Sequence, residues 1–177
     1  FNKDVDLKSG STLIECDRIS FFLVDQQNNE LYTFISKNVP EIRISFSSGL
    51  VGYCATHREM LNVKNCHNDF RFNKDVDLKS GYKTVSCLCM PVISEQGELC
   101  GVIQCLNKLD FNDVKKIPKE FPPEDVHTLQ AFSTQVAHAV LKVRNYGREL
   151  IEKHNLNETV EYLKEKLSVA DSDKHSK

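Results

Sequence analysis

A chain of 177 residues suits one ordinary domain with a buried core plus some additional helix. Hydrophobic residues make up 40% and charged residues 27%, which excludes a disordered tail; no apolar run approaches the ~20 residues of a spanning helix, so no membrane partner is expected. The net charge is −2 with Lys and Arg scattered along the chain, so no phosphate-backbone surface and no nucleic-acid partner are expected either.

Seven cysteines, an odd number, with no signal-peptide pattern point to a reducing, cytoplasmic setting. Five of them sit in apolar segments, where cysteine behaves as a small hydrophobe. Cys87 and Cys89 are two apart and share one face of a strand. A zinc site needs a second such pair or a spaced His cluster, and neither is present, so these thiols read as packing residues and no metal or other cofactor is expected.

In chain order, residues 1–10 read FNKDVDLKSG, and residues 72–81 repeat them without a change. Structural repeats recur as units of roughly 20–50 residues, so residues 1–11 are set apart as a duplicate or artefactual segment and not counted as a second site. The alternative is that the first copy mimics or swaps with the second. Ile19 to Asp25 carries two apolar faces and predicts a central strand. A polar turn over 25–29 returns Leu31 to Ile35 as its antiparallel partner, and Ile42 to Phe46 predicts a third strand. Gly49 to Ala55 opens a short helix with Leu50, Cys54 and His57 on one side. Leu61 to Val63 is briefly extended. Residues 64–81 are polar and predict a long excursion with a turn or two of helix.

Val85 to Ile93 and Leu99 to Asn107 are the clearest strands, joined as a hairpin through Glu95-Gln96-Gly97-Glu98. Pro118, Pro122 and Pro123 precede a helix that starts near Glu124 and Asp125, whose charges suit its positive end. Val126, Leu129, Phe132, Val136, Ala139 and Val143 give that helix one apolar stripe. Gly147 is expected to interrupt it, after which Leu156, Val160, Leu163 and Leu167 space at 4-3-4 as a short coiled-coil-like seam. This order predicts an α+β fold: an antiparallel sheet of about six strands, helices packed on one face, and a ligand pocket under a loop on the other. The domain spans 12–146, and 147–177 form a connecting helix with a frayed tail.

Asn107-Lys108 followed by Phe121, three residues and Asp125 resembles the NK…FxxxDE signature of cyclic-nucleotide-binding GAF domains, with Val126 where the motif has Glu. Cys16 to Asp25, Gly49-Leu50-Val51-Gly52, and Phe70 to Asn73 through Ser80 to Pro91 are similar to stretches of phosphodiesterase GAF domains in the same order. The resemblance covers roughly Thr12 to Tyr146. It implies a regulatory module that binds a cyclic nucleotide, cAMP or cGMP, and controls an attached cyclic-nucleotide phosphodiesterase, without being an enzyme itself.

A purine buried in such a pocket needs polar partners for its edge. Ser20 and Gln104 are the polar members of otherwise apolar strand faces and are similar to the family's base-edge contacts. Leu50 and Val51 match positions where a helix N-terminus meets the nucleotide. Asn73, Asp77, Ser80 and Thr84 match positions that contact sugar and phosphate; a relative often carries an aromatic where Asn73 stands. Asp77 and Ser80 also read simply as turn formers. Asn107, Lys108, Phe121 and Asp125 support the pocket from outside, Lys108 pairing with Asp125. Relatives that prefer guanine carry Phe-Asp where Ser36-Lys37 stand here, and Lys cannot accept from guanine, which points towards cAMP or no ligand.

Two other readings compete. One is a ligand-free GAF dimerisation module; in either case the 156/160/163/167 seam predicts a homodimer through the C-terminal helix. The other is a thiol-based GAF enzyme, which needs an exposed cysteine of low pKa. No Ser-His-Asp order, phosphate loop or metal-binding cluster typical of a phosphodiesterase catalytic domain is present.

Overall fold

A computed structural model describes residues 14–33, 42–109 and 119–174, with side chains through Tyr162 and at Lys164. The duplicate segment 1–11, the selectivity positions Ser36-Lys37, and the side chains of Leu163 and Leu167 lie outside the described residues.

Six strands form one antiparallel sheet: β1 (Cys16–Asp25), β2 (Glu30–Thr33), β3 (Arg43–Ser45), β4 (Leu61–Val63), β5 (Cys87–Ile93) and β6 (Leu99–Lys108), in the order β3-β2-β1-β6-β5-β4. The β1–β2 turn forms because the Asp25 carboxylate accepts the N–H groups of Gln27 and Asn28, both at 3.1 Å. Arg43 donates to the same carboxylate at 2.7 Å and, with Asn28, holds it well below the usual carboxylate range.

β5 begins at Cys87, two residues later than the apolar pattern suggests. The N–H groups of Val85 and Ser86 bond to the Asn107 side chain and not to a strand ladder.

Cross-strand partners point the same way, so the pairs Ser20–Gln104, Phe22–Val102, Cys89–Gln104 and Cys87–Leu106 define one face. That face carries α1 (Gly49–His57), which buries Leu50, Val51, Cys54 and Ala55 in a cluster with Phe22, Leu31, Cys87 and Val102. His57 does not join this stripe, contrary to expectation: it is exposed and stacks on Tyr53 at 3.9 Å. A helix lying against a sheet buries a strip two residues wide, here 50/51 and 54/55, and His57 falls beyond it.

The other face presents Leu88, Met90, Val92, Ile103 and Cys105, all buried. α3 (Pro123–Lys174) is tethered at Asp125 to Lys108 on β6 and at His138 to Glu95 in the β5–β6 hairpin. Roughly 20 Å of helix fits between these ties, so this part of α3 runs along the sheet, with Leu129, Ser133, Val136 and Ala137 buried. The sheet therefore has helix on both faces: the long one on this side, α1 on the loop side.

The chain divides into two compact units, residues 1–138 and 139–177. The described part of the second, to Lys174, is the remainder of α3. Its Val143, Tyr146, Leu150, Ile151, Leu156 and Val160 are 40–63% exposed, so the stripe expected to continue through Ala139 and Val143 is buried only to Ala137. The helix is continuous through Gly147, correcting the expected break. One helical Gly costs about 1 kcal/mol relative to Ala, which good helix formers such as Arg148, Glu149 and Leu150 offset. No helix among the described residues is long and apolar enough to cross a membrane.

Candidate functional site

The loop face is closed by residues 64–84. The Cys66 N–H donates to Val85 O at 2.8 Å and starts a 3₁₀ turn, Cys66–Asn68, with the Cys66 side chain in the core. Arg71 pairs with Asp69 at 2.6 Å and lies over the Tyr53 ring, fixing the turn to α1. α2 (Lys74–Ser80) then forms between two caps. Asn73 accepts the Asp75 N–H at its start, and Gly81 closes it at φ +68, a conformation that glycine adopts without strain.

Asp77 is the hub of this segment. It is 8% exposed, and its carboxylate accepts Thr84 N and Thr84 Oγ1, each at 2.7 Å, and pairs with His67 Nε2 at 3.1 Å. The structure thus places Asp77 and Thr84 against each other. Ser80 is exposed, donating to Val76 O and accepting from Tyr82 N. Asn73 lies beside Gly49, where a side-chain carbon on the glycine would stand 3.7 Å from Asn73 Cβ. The caps of α1 and α2 therefore meet. Leu50 and Val51 have their side chains in the core, and Ser48 at the N-cap position of α1 makes no side-chain cap, so the first-turn N–H groups of α1 lack intrahelical acceptors.

Ser20 and Gln104 stand directly opposite each other on β1 and β6, both half-buried. Gln104 Nε2 has Cys87 Sγ at 3.7 Å, a weak acceptor. Among the described residues Ser20 has no side-chain hydrogen bond. Their neighbours on this face, Phe22, Val102, Cys87 and Cys89, are buried and apolar. The result is a half-buried amide and hydroxyl opposite each other on an apolar floor.

At the end of β6 the arrangement is the opposite. Asn107, at φ +55, accepts Val85 N at 2.7 Å and Ser86 N at 3.3 Å, and donates to Tyr82 OH and Lys83 O at 2.9 Å each. Lys108 Nζ donates to Ile14 O at 2.6 Å and pairs with Asp125 at 3.0 Å. Burial pushes the Asp125 carboxyl up, and Lys108 pulls it back. Phe121 is buried, with its carbonyl accepting from Asn62 at 2.8 Å. These four residues join β6, β4, the loop exit and the start of α3.

Sequence reasoning missed Arg18, Tyr82 and His67. Arg18 lies 3.8 Å over the Tyr82 ring, and Tyr82 OH donates to Asp17, so the loop exit is pinned to β1. The signal for Arg18 was its spacing of two from Ser20, which puts both on one strand face. Nothing local marks His67, because Asp77 reaches it only once the loop has folded.

All seven cysteines are buried and unbridged. Burial pushes the Cys54 thiol up to about 12, and a hydrogen bond with Cys87 followed by burial drives Cys66 further. Cys16 moves down through its bond to Cys105, yet is 4% exposed. Thiols so placed do not meet the exposure that a thiol enzyme requires. Among the described residues no group of three or more His, Cys, Asp or Glu is placed to hold a metal ion.

The sequence profile of the GAF domain matches residues 7–140. The chain is 41% identical over 112 residues to the probable 3',5'-cyclic phosphodiesterase pde-5 of Caenorhabditis elegans, covering 55% of this chain. It is 31% identical over 153 residues to the dual 3',5'-cyclic-AMP and -GMP phosphodiesterase 11A of Takifugu rubripes, covering 74% of this chain. It spans 15% and 16% of the lengths of these two relatives. Among solved structures, the GAF domain of Acinetobacter phosphoenolpyruvate-protein phosphotransferase superposes with a TM-score of 0.66 at 21% identity, covering 82% of this chain and 83% of the other. With its six-stranded antiparallel sheet, a profile match over most of its length and relatives among the cyclic-nucleotide phosphodiesterases, the chain belongs to the GAF domain family.

Proposed function

We propose that this domain is a regulatory module that binds a cyclic nucleotide on the Ser20–Gln104 face, beneath residues 64–84, and controls an attached cyclic-nucleotide phosphodiesterase. The observation that carries this reading is the opposed Ser20–Gln104 pair, whose polar atoms meet only a thiol among the described residues, on an otherwise apolar floor. Such a pair matches the edge of a purine, and the uncapped first turn of α1 suits the single phosphate charge. Relatives named as 3',5'-cyclic phosphodiesterases support the ligand class. Asp77, Ser80 and Thr84 hold the covering segment in shape, and Asn73 brings it to the α1 N-terminus, so in this reading they serve the nucleotide through the lid. The module works in a reducing cell compartment.

Control of a distant domain requires a two-state element that the ligand biases. The second unit supplies a candidate: its exposed Leu156 and Val160 start the seam that pairs two copies in parallel as a homodimer. Isothermal titration with cAMP and with cGMP tests the reading. Heat of binding with either, weakened about tenfold or more in Gln104→Leu, is the expected result. No binding of either nucleotide would leave a ligand-free dimerisation module.

A further inference from the structure

Period two puts Arg18 on the β1 face that carries Ser20, with Leu106 opposite it on β6 as Gln104 is opposite Ser20. The two β1 positions stand about 7 Å apart along the strand. The exposed Arg18 guanidinium lies over the Tyr82 ring, 3.8 Å from its centroid. That ring is itself fixed, because Tyr82 OH donates to Asp17 Oδ2 at 2.5 Å and accepts Asn107 Nδ2 at 2.9 Å. The cation is therefore held beside the Ser20–Gln104 floor, where the chain leaves α2.

The ring serves the charge of Arg18 but does not use up its N–H groups. Among the described residues Arg18 makes no hydrogen bond and no ion pair. Arg71 shows the alternative: it also lies over a ring, that of Tyr53, yet closes on the Asp69 carboxylate at 2.6 Å. The carboxylate adjoining Arg18, that of Asp17, accepts from Tyr82 instead. A fixed guanidinium with its donors unspent fits a ligand that presents neighbouring acceptors.

Ser20 and Gln104 do not choose between purines. A hydroxyl rotates, and a primary amide turned over offers its donor and acceptor in the opposite order, so the pair suits the Watson–Crick edge of either base. Arg18 has no such freedom, because every polar atom on it donates. The adjoining edge of guanine presents acceptors at both O6 and N7, whereas adenine sets a donor amino group beside N7. We propose that Arg18 is a specificity-determining residue, donating to O6 and N7 of a guanine whose other edge lies on Ser20 and Gln104. The site then selects cGMP over cAMP. This inference rests on the reading of that floor as a cyclic-nucleotide site. It is opposite in sense to the expectation from Ser36-Lys37, which concerns the N–H edge of guanine, while Arg18 reads the acceptor edge.

Isothermal titration of the full chain with cGMP, cAMP and 7-deaza-cGMP, which lacks N7, tests it. Wild type should bind cGMP about tenfold or more tighter than cAMP, the scale of one bidentate base contact. 7-Deaza-cGMP should bind several-fold more weakly than cGMP, for the loss of one acceptor. Arg18→Leu keeps an apolar stem on Tyr82 and removes the donors. In it cGMP should weaken to the level of cAMP, cAMP should stay within about threefold of its wild-type affinity, and the 7-deaza penalty should vanish. That penalty is a ratio within one protein, so a variant with a loosened loop still reports it. Equal affinities for cGMP and cAMP in wild type overturn the proposal. So does a loss in Arg18→Leu that both nucleotides share, which would put Arg18 on their common phosphate or make it only a brace for Tyr82. Binding without preference leaves the cyclic-nucleotide site standing and removes the guanine contact; no binding of either nucleotide removes both.

Discussion

Gln104 and Asn107 stand three residues apart on the same strand, and both carry an amide. Asn107 is 4% exposed and uses both ends of its amide, with four partners on residues 82–86. Gln104 is half-buried and, among the described residues, has one weak thiol acceptor, with Ser20 opposite it. A buried amide whose partners all belong to the chain is a structural clamp, because replacing any partner would cost more than it returns. A half-open amide on an apolar floor has capacity left for a ligand. The family motif and the proposed site thus occupy one strand, and the binding proposed for Gln104 is a different kind of work from the clamp at Asn107.

The sharpest way to break this comparison is Asn107→Ala. It leaves the buried Ser86 N–H and the part-buried Val85 N–H and Lys83 carbonyl without their side-chain partner, at about 1–3 kcal/mol each, and puts Ala at φ +55. Stability should fall by about 4 kcal/mol, read from the urea midpoint at unchanged m. A loss below about 1 kcal/mol would mean that the clamp matters no more than a surface contact.

Lys108→Met comes next. Removing one member of a buried pair costs about 3 kcal/mol at neutral pH. Burial already raises the Asp125 carboxyl above its ordinary 3.8, and loss of Lys108 raises it further. A raised folded-state pKa means that protonation favours the fold: this contribution is full below about pH 4 and lost as pH rises through the folded value. The deficit of Lys108→Met relative to wild type should therefore shrink as pH falls from 7 towards 4. A deficit that stays constant over that window would show that Asp125 is not the group left stranded.

At Gln104 the two quantities should separate. Gln104→Leu conserves volume on an apolar face, so stability should change by less than about 1.5 kcal/mol while nucleotide affinity drops tenfold or more. A variant that loses stability as Asn107→Ala does would make Gln104 a second clamp and erase the distinction. The smallest effect on this unit belongs to Val160→Asp, in the other unit. It should lower the sedimentation coefficient and leave both the urea midpoint and the nucleotide affinity unchanged. Unchanged sedimentation would remove the proposed seam.

What could be read in advance follows from the range of the interactions. Strand positions were legible because period-two apolarity is local, and Ser20 and Gln104 stood out as polar residues on apolar faces. The hairpin, the acidic first turn at Glu124 and Asp125 and the placement of Pro123 are likewise decided by neighbours in sequence. Gly147 does not break the helix because the propensity of its flanks outweighs that of one residue. His57 keeps the 3-4 spacing but lies one step past the end of the buried strip.

Residues 1–138 and 139–177 make the division clear. The sequence by itself determined the strands and their polar exceptions, since each depends on a few adjacent side chains. Only the tertiary structure decided that Ser20 meets Gln104, that Asp77 answers to Thr84 and His67, and that Asn107 binds residues more than twenty positions away. Those pairings depend on how the sheet closes over the loop, and a long-range hydrogen bond leaves no local pattern in the residues that make it.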